Sequence, residues 1–354
     1  MTDTVAEPEV LTRREGRALF ITLNRPAALN ALNKAMCDTI QAALYDSIGD
    51  ADVSVVVVEG AGDRAFCAGG DVVGLYHLGR AGSPDFEKFF YDEYRMNQTV
   101  AVYPDDYVAL LDGVTMGGGV GLSIHGRYRV ATERTLFAMP ETGIGLIPDV
   151  GGTHALARLP GFIGTWLALT GARLKGADSV YAGIATHYIP SDRLPLLREL
   201  LATGEEPVDQ ILATIDAPAP EAGASETTLE ALRDAIDYHF SHDSVEAIME
   251  SLAGGDDWAQ AQHAIIARMS PTSCKLSLAG LRMGRHASIE EALQNEYRMV
   301  CAIKHHHDFF EGVRAQLVDK DKAPKWSPAT LAEVDDALIE SYFREPEGGD
   351  LRFD

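Results

Sequence analysis

The 354-residue chain is 46% hydrophobic and 23% charged, enough apolar material for a large core in one folded unit or a unit with an appendage. Thirty Lys and Arg against 53 Asp and Glu leave a net charge of −23, which excludes nucleic acid and anionic membrane as general partners. Cys37, Cys67, Cys274 and Cys301 show no CxxC or metal-ligand spacing and read as reduced thiols.

Residues 1–8 have neither a basic start nor an apolar run, so no signal or transit peptide is expected and the cytoplasm is the expected compartment. No stretch is long and apolar enough for a membrane span. After a short polar arm, residues 18–23 (ALFITL) read as a strand, broken at Asn24-Arg25-Pro26. Asn33 caps a helix running to about residue 48. Residues 53–58 (VSVVVV) are a buried strand followed by a glycine-rich loop, then an amphipathic helix over 85–102. A third strand over 107–111 precedes a triple glycine that opens a helix to about residue 124. Short strands over 129–131 and 135–138 follow. Helices over 161–170 and 175–181 and a strand over 186–189 complete a βα alternation, which predicts right-handed crossovers and a mostly parallel sheet. An Ala/Pro-rich loop lies at 217–225, and beyond it helical spacing dominates: 227–240, 244–252, 258–269, 271–284, 288–303 and 307–317. The division expected is a core at 1–200, a linker region at 201–226, a helical region at 227–335 and a tail at 336–354, frayed near 345–350.

Within this frame, residues 139–152 (MPETGIGLIPDVGG) carry the chemistry. Glu141 and Asp149 sit eight positions apart among glycines, prolines and aliphatic side chains, where an acid is expensive to bury without partners or work. Upstream lie two glycine clusters, Cys67-Ala68-Gly69-Gly70-Asp71 and Met116-Gly117-Gly118-Gly119-Val120-Gly121. Gly70 follows a buried strand, and Gly118 stands where a helix begins, so its N–H is unpaired and favours an anion. Two such N–H groups can stabilise charge developing on a carbonyl oxygen. No GxxxxGK[ST], GxGxxG after a strand, or GxSxG elbow occurs. His305-His306-His307 cannot all face one ion on a helix and reads as a helix junction, and His125 and His154 read as structural. Cys67 has no identifiable histidine partner, so a nucleophilic role is not assigned.

The stretch Leu23-Asn24-Arg25-Pro26-Ala27-Ala28-Leu29-Asn30-Ala31-Leu32, the Ala-Gly-Gly-Asp loop and the Gly-Gly-Gly helix start resemble the crotonase (enoyl-CoA hydratase/isomerase) superfamily. Residues 113–123, 137–152, 308–315 and 319–326 narrow the resemblance to its 3-hydroxyisobutyryl-CoA hydrolases, over roughly residues 15–330. The resemblance implies an α/β crotonase-like spiral of ββα units with a helical C-terminal region closing over the site. It implies an oxyanion hole from the N–H groups of Gly70 and Gly118, a catalytic Glu141 with Asp149 as its partner, Glu93 as a substrate contact, and the Ala68 carbonyl near the CoA adenine. Hydrolysis of a short branched 3-hydroxyacyl-CoA follows, 3-hydroxyisobutyryl-CoA of valine breakdown being favoured, with Glu141 acting as general base or through an anhydride. The alternative on the same scaffold is an enoyl-CoA hydratase or isomerase; a catalytically idle CoA-binding subunit is the third reading. Hydratases carry a second glutamate two residues after the triple glycine, where this chain has Gly121, and often a lysine where Val73 stands. The partner implied is an acyl-CoA substrate, with CoA part of it and no metal or redox cofactor; a homo-oligomer is also expected. Arg314, Lys320, Lys322 and Lys325 form a basic cluster that suits the CoA phosphates.

Overall fold

A computed structural model of the chain describes residues 7–217 and 228–353. Among the described residues ten strands are formed: β1 (Val10–Glu15), β2 (Ala18–Leu23), β3 (Val55–Gly60), β4 (Ala65–Cys67), β5 (Asp106–Leu111), β6 (Val114–Met116), β7 (Tyr128–Ala131), β8 (Leu136–Ala138), β9 (Leu174–Lys175) and β10 (His187–Tyr188). They build a six-stranded sheet in the order β1-β2-β3-β5-β7-β10 and a four-stranded sheet in the order β4-β6-β8-β9. Three successive turns, beginning at β3, β5 and β7, each give one strand to each sheet and then a helix, so the expected spiral of ββα units is the architecture observed. All pairings are parallel except β1 with β2 and β8 with β9.

The run of valines in β3 is buried on both faces, as a continuous apolar strand requires. Val56 and Val58 join Ile21, Leu23, Ala109 and Leu111 on the face toward the main core. Val55 and Val57 join Phe20, Val108 and Leu110 on the other face, covered by Leu197, Leu201, Ile211 and Leu212. Those covering side chains correct two readings. The segment 201–226 is not a linker throughout, because it takes in the end of helix Leu194–Thr203 and all of helix Val208–Ile215, which seal the outer face of the sheet. Its remainder from residue 218, with the start of the helix expected from 227, lies outside the described residues, as do residues 1–6. The polar arm is in part a strand: β1 exposes five of its six residues at the sheet edge, which hides the alternation a half-buried strand shows.

Four helices of the spiral frame the site. They are α1 (Lys34–Ser47), α2 (Val72–Arg80), α3 (Asp85–Ala101) and α4 (Gly118–Gly121). Asn33 caps α1 by accepting from Met36 N–H, as expected. Helix α2 lies where the glycine-rich loop was expected to continue; Asp71 caps it by accepting from Gly74 N–H. In the helical C-terminal region Ser244, Asp256, Ser270 and Ser288 cap helices at Val245–Ala253, Asp257–Ile266, Pro271–Gly284 and Ile289–Ile303, and Asp308–Val313 follows without a side-chain cap. The tail is docked rather than frayed: Leu351 is fully buried, its carbonyl accepts from Gln294, and Asp350 pairs with Arg298. Among the described residues no helix is long and apolar enough to cross a membrane.

Candidate active site

The two glycine clusters meet at the ends of β4 and β6. After β4, Leu32 and Gly70 form a parallel bridge in which Leu32 N–H donates to Gly69 O and Asp71 N–H to Leu32 O. That pattern turns the N–H of Gly70 away from Leu32. Gly69 takes φ +109, and a Cβ there would lie 3.5 Å from Met116 O and 3.8 Å from Gly118 N, so the loop runs close to the start of α4. Gly117, at φ +46, turns the chain from β6 so that Gly118 becomes the first residue of α4. Its N–H is therefore one of the unpaired donors of a helix start. The expected helix continues past α4 only as further turns, with Ile124 N–H still donating to Val120 O.

Between these loops lies a cavity of about 240 Å3, lined by Ala68, Gly70, Gly118, Glu93, Glu141 and Asp149 with Phe89, Phe90, Ile144 and Leu317 among its apolar walls. All six residues expected at the site therefore border one space. Leu317 comes from the C-terminal region, so that region does close over the site as expected. Glu141 opens a 3-10 turn after β8; its Oε1 lies 3.4 Å from where a Cβ on Gly117 would stand, and its Oε2 has no hydrogen-bond partner. Glu93 enters from α3, with Oε1 2.5 Å from a Cβ on Gly118 and likewise without a partner. Asp149 differs, because Tyr94 Oη donates to its Oδ2 at 2.7 Å.

Burial sets the electrostatics. It pushes the Glu141 and Glu93 carboxyls well above the usual range, with Asp149 nearby adding to the effect. Asp149 is raised by burial to about 6, the Tyr94 hydrogen bond pulling the other way. Asp149 is thus the acid of the three best held as an anion, while Glu141 would be an unusually strong base once ionised.

Sequence reasoning missed Tyr94, Asn97 and Glu296. Asn97 is fully buried one turn beyond Glu93, and neither amide atom has a partner. Glu296 sits behind the Asp149 turn, accepting from Gly151 N–H and Thr153 N–H. A signal for Asn97 existed: with Glu93 it interrupts an apolar stripe of α3 that includes Phe86, Phe90 and Val100. The basic cluster needs correction. Arg314 is bound by Glu311, Asp319 and Asp321 at 2.7–2.9 Å, so its charge is already matched by acids, while Lys322 donates to Gln316 O. Cys67 is fully buried and its thiol is pushed by burial to about 12, which keeps it protonated. The three histidines do join two helices, His306 stacking on Tyr342 and His307 bonded to Lys325 O, and no metal cluster occurs among the described residues.

The enoyl-CoA hydratase/isomerase family model matches residues 18–343. A zebrafish (Danio rerio) protein named 3-hydroxyisobutyryl-CoA hydrolase, mitochondrial, is 45% identical, covering 99% of this chain and 94% of its own. The Rattus norvegicus protein of the same name is 47% identical, covering 98% of this chain and 91% of its own. Among solved structures, a carnitinyl-CoA dehydratase from Mycobacterium thermoresistibile superposes with a TM-score of 0.90 at 42% identity over 98% of both chains.

Proposed function

The chain belongs to the enoyl-CoA hydratase/isomerase family, and from that premise we propose that it is a thioester hydrolase converting 3-hydroxyisobutyryl-CoA to 3-hydroxyisobutyrate and CoA, a step of valine catabolism. The names of the zebrafish and rat relatives support the substrate. The observation that carries hydrolysis over hydration is at Gly121. A Cβ there would meet Asn97 Nδ2 at 2.6 Å and Val150 Cβ at 2.7 Å, so the position of the hydratases' second glutamate holds no side chain. One glutamate, Glu141, is left beside the glycine pair, and water addition across a double bond lacks its second acid.

In the proposed mechanism the thioester oxygen lies between the N–H groups of Gly70 and Gly118. Glu141 takes a proton from water as the water oxygen bonds to the thioester carbon, and negative charge moves onto the oxygen held by the two donors. The C–S bond then breaks and the sulfur receives a proton, leaving the acid and free CoA. An anhydride route begins at the same atoms, with a Glu141 oxygen forming the first bond. Asp149, already accepting from Tyr94, accepts from the substrate's 3-hydroxyl and assists the proton's passage to sulfur. Glu93 contacts the acyl group, and the Ala68 carbonyl faces the CoA adenine. Water, carboxylates and backbone donors suffice for this chemistry, so the proposal includes no cofactor beyond the CoA of the substrate. A homo-oligomer and a cytoplasmic location belong to the proposal, beside relatives whose names place them in mitochondria.

Thiol release measured side by side with 3-hydroxyisobutyryl-CoA and crotonyl-CoA tests it. Free CoA from the first and none from the second is expected. Hydration of crotonyl-CoA without thiol release would overturn it in favour of a hydratase.

A further inference from the structure

The Asp149 carboxylate projects from a backbone turn that is strained. Val150 takes φ +55 and Gly151 φ +78, two left-handed residues in succession, the first of them β-branched. Such a turn persists only where its surroundings over-determine it, and three side chains do so. Glu296, fully buried on the helix Ile289–Ile303, accepts from Gly151 N–H at 2.6 Å through Oε2. Through Oε1 it accepts from Thr153 N–H at 2.9 Å and the Thr153 hydroxyl at 2.5 Å. His125 completes the backbone set: Val150 O can only accept, so His125 Nε2 carries the proton it donates at 2.8 Å. Tyr94, fully buried on α3, donates to the carboxylate itself at 2.7 Å. Neither Tyr94 nor Glu296 lines the cavity.

We infer that Tyr94 and Glu296 are positioning residues for the reaction, Tyr94 aiming the Asp149 carboxylate and Glu296 fixing the backbone turn that presents it. The inference rests on the hydrolase reading, in which Asp149 receives the 3-hydroxyl of the substrate. It joins the helical C-terminal region to the chemistry of the spiral, since Glu296 belongs to one and Asp149 to the other. The titratable groups around Asp149 are Tyr94, Glu93, Glu141 and Glu296, with the imidazole of His125 behind Val150 held neutral by burial. Loss of the Tyr94 donor therefore leaves Asp149 among acids with only its own backbone N–H to favour the anion.

The test compares wild type, Tyr94→Phe and Glu296→Gln on 3-hydroxyisobutyryl-CoA and on isobutyryl-CoA, which lacks the hydroxyl. Tyr94→Phe keeps the ring packing, so a folded protein is expected. It should lower kcat/KM for the hydroxylated ester by roughly tenfold or more, the value of a hydrogen bond to a charged group. The plain ester should lose less, so the preference for the hydroxylated ester shrinks, and the acid limb of the pH profile should move to higher pH. Glu296→Gln should shrink the same preference, and the double variant should lose less than the product of the single losses. An unchanged preference and acid limb in Tyr94→Phe would overturn the inference, as would equal loss on both esters accompanied only by a lower Tm. A wild type that frees no CoA from the hydroxylated ester overturns the hydrolase reading instead. The inference is then judged on a crystal structure of Tyr94→Phe, where a rotated Asp149 supports it and an unmoved one rejects it.

Discussion

The buried carboxylates of the helical C-terminal region and those lining the cavity of the spiral are treated differently, whereas Glu59, buried in β3, is partnered by Thr22 and Arg198. In the helical C-terminal region Glu296 accepts three hydrogen bonds, and Asp308 accepts from the Ser270 hydroxyl at 2.6 Å and Ser327 N–H at 2.8 Å. In the spiral, Glu141 Oε2 and Glu93 Oε1 are equally buried and have no partner. A buried acid with every oxygen satisfied holds structure together. One left unsatisfied at a cavity wall costs stability and is expected only where a substrate will complete it. Asp149 stands between the two classes, held by Tyr94 at one oxygen while the residue lines the cavity.

The contrast is most exposed to failure at Glu141. Glu141→Gln should lower kcat by roughly 10²- to 10⁴-fold, the range general acid–base catalysis supplies, with Tm unchanged or raised. A next, smaller loss is expected from Gly118→Ala, whose Cβ would press on Glu93 Oε1 at 2.5 Å and Leu32 Cδ1 at 3.0 Å. Displacing the N–H of residue 118 should remain below the ~10²- to 10³-fold that outright loss of an oxyanion donor costs. The pH profile sharpens the middle case. Glu141, the base, gains its proton at higher pH and sets the first acid limb. Asp149 accepts two donors only as the anion, so kcat/KM should steepen by about a further tenfold per pH unit below the value of about 6 at which it gains its proton, and recover as pH rises through it. A limb unmoved by Asp149→Asn would assign that proton elsewhere. Asp308→Asn should do the reverse of Glu141→Gln, lowering stability by about 1–3 kcal/mol in denaturant titration and leaving kcat within about twofold. If it abolished turnover without loss of stability, the division between satisfied and unsatisfied acids would fail. The smallest effect is expected at Cys67, where Cys67→Ser should leave turnover within about twofold because the buried thiol is not the nucleophile.

Much of this was legible in the chain. The valine run of β3, the Asn33 cap and the serine and aspartate caps of the C-terminal helices each act through neighbours a few residues away, which local pattern records. Gly117 and Gly69 were legible for a different reason, their positive φ being one that other residues rarely adopt. Helix α2 was hidden by its own glycines, of which Gly79 leaves space for the Phe310 ring 2.8 Å from where its Cβ would stand. Helix Val208–Ile215 was hidden because the sheet face it covers is assembled from strands that lie far upstream, from β2 to β7. The partners of Asp149 were illegible for the same reason. Tyr94 lies 55 positions before it, and Glu296 lies 145 positions after Gly151 and 143 after Thr153. Glu93 came only through family resemblance, although a carboxylate and an amide on an apolar helical stripe were a physical signal available without it.

The most direct test is a crystal structure of the Glu141→Gln protein with 3-hydroxyisobutyryl-CoA bound. The thioester oxygen should lie about 2.7–3.1 Å from the peptide nitrogens of both Gly70 and Gly118, with the residue 141 side chain beside the thioester carbon. A thioester bound with its oxygen away from those two nitrogens, or with residue 141 turned from the carbon, would contradict the account.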